Sequence, residues 1–369
     1  MEPNRRRYTM FQEKVVVMAL ALVFGLLSGC GLDDLGQSDV VSQLDSVPDA
    51  ASAVDEFKNI IPDEGVPLIS SNWSEETTAL GVVGIRPAKG SPATVIRCEE
   101  GREVLPLTTL HLSAVERYLA KGEIIKWKWS VEQPVGSVSR FVPSDTSPDP
   151  TFETNVAGVY RFSLETWNAD GVPSWNPAFY DVFVIPGEAL YVELVWHTPE
   201  DLDESDTGPE AGSDLDLHFL HRWAAGPDID GDGAPDGWFD NLFDCFWFNA
   251  HPNWGSYDPT INDDPGLDRD DTDGGGPECI NLDIPEQNAT YRVGVHYWND
   301  HSYGPAHARV RVYIYSFLVF EAADVVLLDK DMWEVCTIDW PSGAVYAALT
   351  EDGDYVVTPR YENPYFFQD

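Results

Sequence analysis

The sequence predicts an all-β protein of two tandem β-sandwiches that follow a signal peptide and a disordered tether. Three observations predict it. From about Leu80, apolar and polar residues alternate with period two in short runs. Turn-forming clusters such as Pro143-Ser-Asp-Thr-Ser-Pro-Asp-Pro150 separate those runs. The runs also recur at the short, regular spacing of sandwich proteins. The segments expected are 1–29 (signal peptide), 30–77 (tether), 78–187 (first sandwich), 188–346 (acidic sandwich) and 347–369 (C-terminal tail).

Arg5, Arg6 and Arg7 precede an apolar run from Val15 to Leu27, which is shorter than a membrane span and has the layout of a secretory signal. Leu27-Ser28-Gly29-Cys30 then resembles the lipobox of bacterial lipoproteins. The resemblance implies lipidation of Cys30 as the first mature residue and a membrane contact through that lipid. Gly31, rather than Asp, follows, and by the enteric sorting rule this implies the outer membrane. The signal segment carries four basic and two acidic residues, so its removal takes the net charge from −41 to −43. Such a surface repels nucleic acid and anionic lipid. Residues 31 to about 77 are rich in Asp, Ser, Ala and Pro with little periodicity, as in a flexible tether.

In the first sandwich, Ile125, Trp127, Trp129 and Val131 alternate with Lys126, Lys128 and Ser130. Tyr160, Phe162 and Leu164 alternate likewise, as do Tyr180, Val182 and Val184. Trp127 and Trp129 share their face with aliphatic residues and are expected in the core. Ile125-Lys-Trp-Lys-Trp-Ser130, Pro150-Thr-Phe-Glu-Thr and Ala157-Gly-Val-Tyr-Arg-Phe-Ser-Leu164 together resemble a PKD-type immunoglobulin-like domain over about residues 90–186. The resemblance implies a non-catalytic spacer or adhesion module.

The second sandwich opens with Ala189-Leu-Tyr-Val-Glu-Leu-Val-Trp196, another alternating run. Residues 201–278 then carry 21 Asp and Glu against Arg222 and Arg269. Large apolar residues such as Leu215, Phe219, Phe239 and Phe246 are interleaved with them and need a core. Packing so many carboxylates beside aromatic side chains is costly without a cation. Within this region, Asp228, Asp230, Asp232 and Asp236 occupy positions 1, 3, 5 and 9 of a calcium loop, with Gly233 at the sharp turn. Position 12 is Phe239 and no helical pattern flanks the loop, so it is not an EF-hand. Strand alternation puts Asp214, Asp216 and His218 on one face. Asp268, Asp270, Asp271, Asp273 and Glu278 lie on a glycine-rich loop able to fold around an ion. Oxygen-only sets suit Ca2+ better than zinc. Asp214-Leu-Asp-Leu-His218, Leu267-Asp-Arg-Asp-Asp271, Gly276-Pro-Glu278 and Thr290-Tyr-Arg-Val-Gly-Val-His-Tyr297 are similar to the pre-peptidase C-terminal domains of bacterial surface proteins. That resemblance implies a non-catalytic β-sandwich.

Beyond Cys30, four cysteines allow three pairings in an exported protein. Cys245 and Cys279 flank the acidic loops and are the pair expected. Cys98 and Cys336 fall in different sandwiches.

No Gly-x-Ser-x-Gly elbow, His-Glu-x-x-His or phosphate loop is present, so no enzyme is expected. The leading expectation is a calcium-stabilised surface lipoprotein serving adhesion, envelope structure or protein interaction. The rival is a polysaccharide binder using Trp238, Trp247, Trp254 or Trp298 as sugar platforms. A hydrolase using one of the many carboxylate pairs is the third.

Overall fold

The computed structural model describes residues 92–116, 123–174, 176–208, 211–272 and 274–366. The signal peptide, Cys30 and the tether lie outside the described residues. Every regular element among those described is a β-strand, as the alternation predicts.

The first sandwich contains β1 (Thr94–Cys98), β2 (Glu103–Val104), β3 (Thr108–Glu116), β4 (Ile124–Glu132), β5 (Thr151–Thr154), β6 (Gly158–Asn168) and β7 (Ala178–Val184). They form a sheet of order β1-β3-β5 facing one of order β2-β7-β6-β4. This is an immunoglobulin-type division of seven strands between two sheets. Trp129, Phe152, Tyr160, Phe162 and Leu164 fill the core between them. The Tyr160 hydroxyl accepts from the Val156 amide at 3.0 Å, four residues upstream, which is the tyrosine corner of immunoglobulin-like sandwiches. Ile125 departs from the expected pattern. A register shift between Ile124 and Lys126 turns it outward, leaving it 54% exposed while Trp129 stays in the core.

The second sandwich contains β8 (Leu190–His197), β9 (Asp214–His221), β10 (Asp244–Cys245), β11 (Gly266–Arg269), β12 (Glu278–Leu282), β13 (Thr290–Asn299), β14 (Ala306–Ile314), β15 (Phe317–Leu327), β16 (Met332–Asp339), β17 (Ala344–Ala347) and β18 (Val356–Thr358). One sheet runs β11-β12-β8-β14-β15; the other runs β10-β9-β13-β16-β17, with β18 also on β16. The residues expected to form a tail thus include a strand of this sheet. β17 and β18 divide the length of β16 between them: Ala344–Ala347 pair with Cys336–Asp339, and Val356–Thr358 pair with Met332–Glu334. A hairpin joined by the Leu349–Tyr355 bridge loops out between them.

β8 and β9 are buried on both faces, not one, along almost their whole length. For β8, the outer face meets the first sandwich. Glu193, paired with Cys279 in register, accepts the Ala157 amide at 2.8 Å and Arg311 Nη1 at 2.9 Å. For β9, the outer face lies under a second hydrophobic core. Trp238, Phe239 and Phe246 from the long insertion after β9 pack there with Leu220, Met332 and Tyr361.

The expected Cys245–Cys279 disulfide is not formed: Cys98, Cys245, Cys279 and Cys336 are all buried free thiols. The sheets explain why. Cys279 packs with Ala157, Tyr191 and Tyr313 where the sandwiches meet. Cys245 pairs with Phe219 in the opposite sheet, its thiol directed to the Ala250 carbonyl at 3.5 Å.

Candidate metal centres

The Asp228–Asp236 loop winds on its own side chains. Asp228 accepts the Gly231 amide at 2.8 Å and the Gly233 amide at 3.0 Å; Asp230 accepts the Asp232 amide at 3.0 Å; Asp232 accepts the Ala234 amide at 2.7 Å. Gly231 and Gly233 supply the left-handed residues such winding needs, at φ +81° and +93°. The result gathers one oxygen from each of Asp228, Asp230, Asp232 and Asp236 within 4.8 Å of one another. Asp236 anchors the loop to the body: Tyr361 donates to it at 2.6 Å and Arg292 donates to its carbonyl at 2.9 Å. Arg292 also lies over the Trp238 ring at 4.6 Å. Phe239, at position 12, is buried in the outer core and supplies no carboxylate.

The two other acidic stretches do not make two sites. They meet in one. β10 pairs with β9 only at Phe219 and Leu220, so the Asp214–His218 half of β9 has an open edge on that side. Glu278, first residue of β12 in the facing sheet, reaches that edge and accepts the Leu217 amide at 2.6 Å. Its other oxygen accepts the Asp271 amide at 3.2 Å. Three glycines aim it: Gly274, Gly275 and Gly276 all have positive φ, and a Cβ on Gly276 would lie 2.9 Å from the Trp196 ring. Oxygens of Asp216, Asp270 and Glu278 lie within 4.8 Å of one another, with Asp216 and Glu278 buried and Asp270 at the surface.

Burial, then the neighbouring acids, pushes the Asp216 and Glu278 carboxyls well above the usual range. Burial and then the Asp270 charge push Asp214 up to about 7. Asp214 Oδ1 and Asp216 Oδ2 are buried without a hydrogen-bond partner in the protein. Of the remaining expected ligands, Asp268 lies on β11 outside the cluster, and Asp271 contributes its amide to Glu278. Asp273 lies outside the described residues. Each separate stretch was legible in the sequence; their convergence, set by a sheet edge, was not.

The tryptophan platforms are corrected. Trp238 is 1% and Trp254 3% exposed, so neither can stack on a sugar. Trp254 is stacked on Phe219 and Tyr291 and donates to the Leu242 carbonyl at 2.9 Å. Trp247 and Trp298 are half-buried and meet edge to face at 5.2 Å, with Phe366 packed against both. A cleft of about 370 Å3 between the sandwiches also lacks an uncommitted cation: Arg269 is held by Glu153 at 2.5 and 3.0 Å, and Arg140 by Asp203 at 2.6 Å.

No protein-family model and no curated protein matches this chain. Among solved structures, it is similar to the D00-D0 domain of intimin, at 9% identity and TM-score 0.19, over 64% of this chain and 99% of that one. It is similar to three N-terminal domains of the highly immunogenic outer capsid protein of bacteriophage RB49, at 11% and 0.17, over 65% and 70%. The α-L-rhamnosidase of Dictyoglumus thermophilum matches at 9% and 0.19, over 67% and 30%. Likenesses this distant carry nothing about the role of this chain.

Proposed function

We propose that this chain is a non-catalytic, calcium-stabilised module, exported and held at the outer membrane by a lipid on Cys30, serving adhesion, envelope structure or protein interaction. One observation carries the calcium reading: the Asp228–Asp236 loop converges four carboxylates on one point while its turns are already wound. A loop preorganised in this way loses little entropy on taking up an ion. The donors are hard oxygens, which suit calcium. The leader and Leu27-Ser-Gly-Cys30 support the anchored location. The burial of Trp238 and Trp254 leaves the polysaccharide reading without its main platforms.

Calcium calorimetry and melting curves with and without chelator test the reading. If the ion binds only the folded state, a hundredfold excess over Kd raises stability by about 2.7 kcal/mol. The double variant Asp230→Asn, Asp232→Asn is expected to lose the loop's share of calcium uptake. Chelated protein that melts unchanged and takes up no ion would sink the proposal.

A further inference from the structure

We infer that Asp216, Asp270 and Glu278 hold a second calcium ion, fixed at the seam between the two sheets of the acidic sandwich and distinct from the ion of the Asp228–Asp236 loop. The inference rests on the calcium reading for the identity of the ion; its location stands on separate geometry.

The three residues come from different segments, β9, the turn after β11 and the start of β12, and the fold alone brings them together. Three carboxylate oxygens that all lie within 4.8 Å of one another are no more than about 2.8 Å from a common centre, so small side-chain shifts bring them to the roughly 2.3–2.6 Å of calcium–oxygen bonds. The site is built rather than incidental. The Leu217 and Asp271 amides fix the two oxygens of Glu278, and each oxygen retains a lone pair.

Asp216 is 3% exposed, and its Oδ2 has no protein partner. Asp214, beside it on the same strand face, also has a buried oxygen without one. Among the described residues, no Lys, Arg or His forms an ion pair with Asp214, Asp216, Asp270 or Glu278. Two basic side chains act on the cluster through space, and both are engaged elsewhere: His301 is bonded through Nδ1 to the Gly212 carbonyl at 2.7 Å, and Lys330 is held on the Trp298 carbonyl and lies 3.3 Å from Asp329. Leaving such carboxylates buried and ionised without a counter-charge costs several kcal/mol each, about what a bound divalent ion repays. The donor set has no sulfur or imidazole, which selects a hard cation. Exposed Asp270 gives the ion a way in. Because Asp216 belongs to one sheet and Glu278 to the other, the ion ties the sheets together.

The test counts ions per full-length chain by elemental analysis after gel filtration, alongside melting curves. Wild type is expected to carry two calcium ions; Asp230→Asn, Asp232→Asn keeps the seam ion, and Asp216→Asn, Glu278→Gln keeps the loop ion. The seam variant should melt above wild type in chelator, because amides do not repel, and below it in calcium. This reversal separates a cation site from carboxyls that merely stay protonated. A seam variant that keeps two ions, or gains as much from calcium as wild type does, overturns the inference. A loop variant with no ion overturns it too, while leaving the loop reading intact. A loop variant that still holds both ions overturns the loop reading instead. Should the seam variant fail to fold, the ion count of the loop variant decides alone.

Discussion

His296 makes the acidic sandwich less tolerant of low pH. It is wholly buried beneath Phe239 and Trp298, and that burial favours the neutral ring against the opposing hydrogen bond that Nε2 donates to the Tyr361 carbonyl at 2.9 Å. Burial, followed by the nearby His218, holds the imidazole down to about 3. An unfolded chain takes up that proton near pH 6.5. Between these limits the unfolded state binds one more proton. Stability is therefore full above pH 6.5 and falls with acid, by about 1.4 kcal/mol per pH unit from this residue. Urea unfolding at stepped pH is expected to give a slope that differs between wild type and His296→Gln by about that amount over this range; an identical slope in the variant refutes the assignment. At this scale the sequence is legible where ligands are local. Asp228 to Asp236 are neighbours on one loop, and their spacing carries the site. The Cys245–Cys279 pairing fails because two residues that flank the same loops can belong to opposite sheets.

Among the elements, the turn from Gly274 to Gly276 has the most specific requirement. Alanine at Gly276 would adopt φ near +77° and place its Cβ 2.9 Å from the Trp196 ring and 3.1 Å from the Leu194 carbonyl. Left-handed strain of about 1–2 kcal/mol adds to overpacking of about 1–3 kcal/mol. Gly276→Ala is thus expected to cost about 2–5 kcal/mol by chemical denaturation and to weaken calcium uptake, because Glu278 follows two residues later. Loss below about 1 kcal/mol would show that the turn does not aim Glu278. Period-two alternation was enough to find β4, β6, β7, β8 and β9. It could not show that β8 and β9 are covered twice. That follows from a neighbouring sandwich on one strand and an inserted aromatic core on the other, neither of which leaves a local signal.

Across the whole molecule, the two sandwiches meet around one buried ion pair. Arg311 bonds Glu193 at 2.9 Å, Glu321 at 2.9 Å and the Val135 carbonyl at 3.0 Å, while Glu193 also accepts the Ala157 amide. Gly136 lies so close to Val195 that there is no room for a Cβ. Removing one partner of a buried pair costs about 3–5 kcal/mol. Calcium-saturated wild type is expected to unfold in a single calorimetric transition, and Arg311→Met in two, with the first sandwich uncoupled. A single unshifted transition in the variant would mean that the sandwiches are joined by other contacts. This union was not legible in the sequence, since Glu193 reads as an ordinary outward residue of an alternating strand. The divided flank of β16 has a further result. A stray polypeptide seeking an uninterrupted ladder there meets two short strands and, between them, a hairpin bearing Glu351, Asp352 and Asp354. Such a border resists fibril-like stacking between copies of the chain.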